Sequence, residues 1–297
     1  MTSSAPDIMR HHLNAQIAER LRFMADLREQ QGDNGFRVQA YRRAADTLER
    51  LEQPVDAVLA QKGRAGLMAL YGVGAGIAAA IAEMASTGRW AQLERLQGVL
   101  EPEQLFRSLP GIGHKLAARL HDELEIETLE QLEMAAHDGR LERVAGVGAR
   151  RAAAVRAVLN ERLGARHIRR RADPVPSTGV LLGVDAAYRR RAAAGELRMI
   201  APRRFNPKGE AWLPVMHLDQ GRWHFTALFS NTARAHQLGK SRDWVVLYFH
   251  TANSPESQVT IVTETRGALK GQRVVRGREP DCAAHYAAKA ARAGPRN

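Results

Sequence analysis

From His12 onward the apolar residues Leu13, Ile17, Leu21, Met24 and Leu27 recur at steps of four and three, one face of an amphipathic helix ending near Gly32. Residues 1–10 are polar and are predicted to fray. The helical period continues in a second segment over 38–51, a short third over 55–59 and a helical pair over 67–85 that stops at Thr87-Gly88. Further helices are read at 104–107, 115–123, 129–136 and 149–163. After residue 179 the period changes. Runs rich in β-branched and aromatic residues, at 180–184, 197–201, 212–218, 223–229, 244–249 and 259–263, are bounded by Gly, Pro, Asn or Asp and predict short strands. Helical stretches at 186–194, 232–238 and 282–291 lie between and after them. The pattern predicts an all-α N-terminal half followed by an α+β domain with a mostly antiparallel sheet. The expected units are a helical domain at 12–97, a second at 98–165, a basic, proline-bearing linker at 166–179 and the α+β domain at 180–292.

Three glycine triplets organise the helical half: Gly72-Val73-Gly74, Gly111-Ile112-Gly113 and Gly146-Val147-Gly148. Each ends one apolar, helix-like stretch and opens another. Glycine suits such a turn because it takes positive φ and lets a foreign group approach the backbone. The helix that follows points free N–H groups and its positive dipole end at that group, which suits a phosphate. One Gly-x-Gly says little, but three in the same context mark a repeated unit. Lys115 follows the second triplet, and Arg150 and Arg151 follow the third, where a cation would meet a phosphate. The first is followed by Ala75 and Gly76, so only backbone N–H groups are expected to act there.

Charge sharpens this picture. The 297 residues carry a net charge of +12. Between Arg162 and Arg204 eleven arginines face only Asp173, Asp185 and Glu196, a block that attracts polyanions by releasing counterions from phosphates. No run approaches the roughly 20 apolar residues of a membrane-spanning helix. The first twelve residues lack the apolar core of a signal peptide. The single Cys282 excludes an internal disulfide and fits a reducing compartment. The expected location is the cytoplasm, on the nucleoid, with no membrane partner.

The triplets resemble helix-hairpin-helix motifs, and residues 16–159 resemble the N-terminal part of the X family of DNA polymerases, bacterial members especially. Three stretches carry the likeness: Asn34-Gly35-Phe36-Arg37-Val38-Gln39-Ala40-Tyr41-Arg42-Arg43-Ala44-Ala45, the segment 72–88, and Leu109-Pro110-Gly111-Ile112-Gly113 with Thr128-Leu129-Glu130-Gln131-Leu132. None extends beyond Arg171. The resemblance implies a small helical domain with one hairpin and a helical domain with two, both gripping DNA through its backbone. In relatives the paired hairpins straddle the minor groove. A potassium or sodium ion held by hairpin carbonyls is also implied, and no other cofactor. Arg37 and Tyr41 match family positions that hold a 5′ phosphate; Phe36 replaces a family histidine and is read as helix core.

The relatives' two activities are tested against the residues present. Their polymerase site needs three aspartates, two in an Asp-x-Asp pair, to clamp two metal ions. No such pair follows Arg171, where Asp185, Asp219, Asp243 and Asp281 stand apart. Their sugar-phosphate lyase needs a Schiff-base lysine in the helix after the first hairpin. Ala80 stands at that place, and Lys62 lies outside the motif. In the α+β domain His217, His224, His236, His250, His285, Asp243 and Glu264 lack tight metal-ligand spacing. Asp243 with Glu264-Thr265-Arg266 is similar to the carboxylate layout of some nucleases, with Arg266 in place of a lysine. The loop Arg203-Arg204-Phe205 and the helix start at Ser230-Asn231, with Arg234 and His236 beyond, are candidate phosphate contacts, which Arg273, Arg276 and Arg278 would extend.

The sequence thus points to a DNA-binding protein of repair or maintenance that binds gapped, nicked or duplex DNA without sequence preference, through Gly72, Gly74, Gly111, Gly113, Lys115, Gly146, Gly148, Arg150, Arg151, Arg37 and Tyr41. It is read as lacking polymerase and lyase activity. The alternative is a nuclease or phosphoesterase whose site is in the C-terminal domain, or a C-terminal adaptor for another repair protein.

Overall fold

The structure, a computed structural model, describes residues 5–99, 101–127, 129–162, 175–251, 254 and 256–293. The basic run Arg166–Arg171 expected as a linker lies outside the described residues.

The N-terminal half is helical. Helix α1 (Ala5–Gln30) begins well before the predicted frayed end and packs against α2 (Gly35–Glu49). The Asn34 side chain caps α2 by accepting from the Phe36 N–H at 2.9 Å. Helix α3 (Val55–Met68) is two helical pieces meeting at a kink, because Gly63 (φ 60°, ψ −162°) breaks the regular backbone; the second piece leads into the first glycine turn. Helices α4 (Ala75–Thr87) and α5 (Ala91–Gln97) each stop at a left-handed glycine, Gly88 and Gly98. A second bundle follows, made of α6 (Pro102–Arg107), α7 (His114–Leu124), α8 (Leu129–His137), a 3-10 turn at Leu141–Arg143 and α9 (Ala149–Arg162). Its core gathers Phe106, Leu109, Ile112, Leu120, Leu132, Val144, Val147 and Leu159.

The C-terminal half carries the predicted antiparallel sheet. Six strands, β1 (Arg198–Ile200), β2 (Leu213–Gln220), β3 (Trp223–Phe229), β4 (Val245–His250), β5 (Ser257–Thr263) and β6 (Arg273–Val275), pair in sequence order. Helix α11 (Ala233–Gln237) sits between β3 and β4. Helices α10 (Thr178–Ala193) and α12 (Glu279–Ala293) flank the sheet. Two local expectations fail. Residues 180–184 open α10 rather than forming a strand, because Ser177 caps them and the apolar run continues into residues 186–193. Strand β6 is too short to give a period, and only pairing with β5 reveals it.

Both faces of this sheet are buried, and by different partners. Phe225, Ala227, Val245, Leu247 and Phe249 point into a core with Leu181, Val184 and Tyr188 of α10 and Cys282 of α12. Their strand neighbours Leu213, Val215, Leu228, Val246 and Tyr248 join the core of the first helical bundle, with Leu21, Leu48, Ile81, Trp90 and Leu96. Strand β4 is therefore apolar without alternation, as strands buried on two faces are.

The backbones also touch. Gly98 must be glycine twice over: its φ is +76°, and a Cβ there would strike the Ala201 carbonyl. Arg203 N–H donates to the Gly98 carbonyl at 2.6 Å. Arg95 of α5, 5% exposed, lies over the Tyr248 ring and pairs with Glu127 of the hairpin bundle at 2.6 Å and Glu256 of the sheet at 3.0 Å. One buried arginine thereby pins three units together.

Candidate nucleic-acid interface

The three glycine triplets fold alike. Gly72, Gly111 and Gly146 have φ of 74°, 82° and 87°. The middle residues Val73, Ile112 and Val147 are buried, and their N–H groups donate back to Leu70, Leu109 and Val144 at 3.0–3.2 Å. Gly74, Gly113 and Gly148 then open α4, α7 and α9, their carbonyls accepting from Ala78, Ala117 and Ala152 at 2.8–3.0 Å. All six glycines are exposed. The buried middle residue anchors each turn in its core, while the flanking glycines present unused backbone N–H groups of a helix start to solvent.

The predicted cations differ in availability. Lys115 and Arg150 are exposed and form no ion pair among the described residues. Arg151 folds back to donate to the Gly146 carbonyl. Arg119 of α7, unnoticed in the sequence, donates to the Ala145 carbonyl and so ties the second hairpin to the third. At the first hairpin Gly72 lies against Arg43 of α2, with the Cβ of Arg43 3.3 Å from where a glycine side chain would begin. Arg43 is exposed and has no ion pair among the described residues, so a residue that can supply a cation stands beside the turn that was expected to act through backbone alone. Arg43 lies within the matched stretch but far from the turn in sequence, so chain order could not place it there.

The residues matched to a 5′-phosphate pocket sit differently. Arg37 is only 10% exposed and pairs with Asp33 and, across the molecule, with Asp219 at the end of β2. Asn34 donates to the same Asp219 at 2.7 Å, and His224 lies 2.8 Å from it. Against the upward push of burial, hydrogen bonds from His224 and Asn34 and the charge of Arg37 hold Asp219 down at about 2. Tyr41 is buried against Trp90, with its ring centroid 5.8 Å away. In this arrangement neither Arg37 nor Tyr41 is presented to a phosphate, because the C-terminal half covers both. Phe36, read as core, is 85% exposed: it follows the Asn34 cap in the first turn of α2. Ala80 lines a pocket of about 60 Å³ with Gly76, Tyr41, His250 and Glu256, and Lys62 is exposed elsewhere on α3.

The C-terminal titratable groups are individually engaged. His217 faces Thr226 at 3.0 Å and Gln31 at 2.9 Å; burial and the Arg28 charge push it down to about 3. His250 is pushed well below the usual range by burial and by Arg28 and Arg37. Asp243 accepts from Thr263 and pairs with Arg273 at 2.8 Å, and Arg273 also grips buried Asp185 at 2.7 Å. Glu264 accepts the N–H groups of Thr265 and Arg266. Asp243 and Glu264 thus serve separate structural contacts. Among the described residues one trio brings ligand atoms within 4.8 Å: Glu103, His121 and Asp122. The Arg204 guanidinium lies among them, 2.6 Å from Glu103 and 3.7 Å from Asp122. A cation already fills that position. His236 bonds Asn231 at 2.6 Å and stacks near Phe205, which leaves Arg234 as the exposed cation of α11.

Comparison with known proteins agrees with the hairpin geometry. Residues 12–90 match the family model of a helix-hairpin-helix domain, and residues 103–161 that of a SAM-like helix-hairpin-helix tandem. A DNA polymerase/3′-5′ exonuclease PolX of Bacillus subtilis is 34% identical over 134 residues, covering 44% of this chain. The chain spans about a fifth of that relative's length, 22%. The N-terminal region is thus X-family polymerase-like, and these matches support DNA binding by that half of the chain. Among the described residues no helix is long and apolar enough to cross a membrane.

Proposed function

We propose that the protein binds DNA through its backbone, without sequence preference, and recognises DNA form such as a gap or nick in repair or maintenance. The observation that carries this reading is the threefold recurrence of one exposed, positive-φ turn opening a helix, with Arg43, Lys115 and Arg150 beside the three turns. Contacts of this kind fix position on a duplex without reading bases. Absence of polymerase and lyase chemistry is supported by the missing Asp-x-Asp pair and by Ala80 in a small covered pocket. The use of Asp243 and Glu264 in structural contacts weighs against a nuclease site there.

A hairpin-bound sodium or potassium ion fits the second turn best. Carbonyls of the third, Ala145 and Gly146, already accept guanidinium N–H groups, whereas those of Pro110 and Gly111 accept no hydrogen bond among the described residues. Such an ion would add positive charge facing a phosphate.

The test is binding to intact, nicked, one-nucleotide-gapped and single-stranded DNA at two salt concentrations, with magnesium or manganese present and product lengths checked. Salt-sensitive binding that favours the gap and leaves DNA uncut is the expected result. Cutting would move the function to the C-terminal domain, and absence of binding would end the hairpin reading.

A further inference from the structure

A cleft of about 530 Å³ lies between α7, the 3-10 turn region and the sheet, and none of the three glycine turns is among the residues that line it. Its floor is apolar: Trp244 at the start of β4, with Val259 and Val262 of β5. Three arginines converge on it from separate parts of the chain, Arg140 from the hairpin bundle, Arg234 from α11 and Arg276 just after β6. We propose that this cleft binds a single nucleotide, its phosphate on Arg234 and Arg276 and its base on the Trp244 floor.

The argument rests on which charges are already spent. Asp122, on the α7 wall, accepts the Ala233 N–H at 3.1 Å and pairs with Arg204. Glu125 accepts the Thr260 hydroxyl, and burial pushes its carboxyl up. On the other side Arg234 is exposed with no ion pair among the described residues, and Arg276 is held only loosely, by Glu264 at 3.9 Å and by the charge of Glu125. Arg140 is held by Asp138 at 2.8 Å and adds field rather than a free donor. Arg234 therefore keeps an unpaired positive charge beside an apolar lining, which is the pairing that phosphate and base require. Glu123 is the remaining acid, exposed and without a partner among the described residues. It offers an acceptor for a sugar hydroxyl or a base amino group, which favours a whole nucleotide over a bare phosphate. A volume of this size falls in the usual small-molecule range of about 300–1,000 Å³. The same chemistry could come from a free nucleoside monophosphate or from the end of a DNA strand.

Calorimetric titration of the full chain with deoxyadenosine monophosphate, inorganic phosphate and deoxyadenosine tests the proposal. The nucleotide is expected to bind at least about tenfold more tightly than either fragment, and Arg234→Ala with Arg276→Ala to lose about tenfold or more. Arg234→Gln alone, at an exposed position, is the second variant; it is expected to lose about threefold with an unchanged thermal midpoint. Lys115→Ala with Arg150→Ala should leave the nucleotide affinity intact while weakening duplex binding, so this site and the hairpins fail or succeed separately. Displacement of the nucleotide by an oligonucleotide with a terminal phosphate assigns the cleft to a strand end, and its persistence assigns it to the free nucleotide. Inorganic phosphate binding as tightly as the nucleotide, full affinity in the folded variants, or no nucleotide binding at millimolar concentration would each overturn the proposal.

Discussion

At the scale of single residues, the proposed grip on DNA rests on backbone conformations that only glycine takes at little cost and on cations that no acid holds among the described residues. Gly146→Ala forces a side chain to φ near +87° and should cost about 1–2 kcal/mol of stability, read from thermal melts, together with lost duplex affinity. Lys115→Ala should weaken binding to all duplexes alike and reduce the slope of log affinity against log salt by about 1. Among the histidines, His217 bears on stability. His217 titrates near 3 when folded and near its ordinary 6.5 when unfolded, so the unfolded chain takes up the proton first. Its contribution is present above pH 6.5 and is lost as pH falls toward 3, by up to about 1.4 kcal/mol per pH unit. Melts between pH 7 and pH 4 should show the decline, and His217→Gln should flatten it. The triplet glycines were legible from the sequence because the requirement for positive φ is local. The fates of Arg37 and Phe36 were not, because exposure on α2 depends on the C-terminal half arriving over one side of it.

At the scale of elements, the repeated turn is a device in which a buried valine or isoleucine anchors two exposed glycines. The helix that follows supplies the field. Its setting in the first bundle includes a buried pair, Arg28 with Asp33, 0% and 2% exposed in their side chains. Two guanidinium nitrogens of Arg28, Nε and Nη2, have no hydrogen-bond partner among the described residues, so Arg28 is held mainly by Asp33 and by the adjacent Tyr41 ring. Arg28→Met removes the charge but leaves Asp33 buried with Arg37 alone, and should destabilise by about 3 kcal/mol, measured by denaturant unfolding. Strand β4 shows how much an element discloses. Val245-Val246-Leu247-Tyr248-Phe249 is an unbroken apolar run that signals burial on both faces, but it does not say by what. Residues 180–184 show the converse, since four apolar residues and a glycine fit a strand or a helix until the Ser177 cap and the packing of α10 decide.

At the scale of the molecule, the two halves share one core, and this limits how they can be separated. A chain ending at residue 162 would expose the side of Ile81, Trp90 and Leu96 that Leu213, Val215, Leu228, Val246 and Tyr248 now cover. It would also strip Arg95 of Glu256. Such a fragment should melt well below the full chain and bind a hydrophobic dye. A fragment as stable as the full chain would show that the shared core contributes little. The same packing places Asp219 on Arg37 and His250 over the pocket of Ala80, so the C-terminal half covers the surface that the resemblance assigned to a 5′ phosphate.

The sequence by itself determined the helical half, the three turns, the antiparallel sheet and the surplus of positive charge, because each follows from local periodicity, glycine geometry or composition. Tertiary structure decided which of the cations stay free. Arg37, Arg95, Arg204 and Arg273 are consumed by acids brought from distant segments, while Arg43, Lys115, Arg150 and Arg234 are left exposed. The reason is physical: an ion pair or a covering face is a relation between residues far apart in the chain, and no pattern along one segment records what will be packed against it.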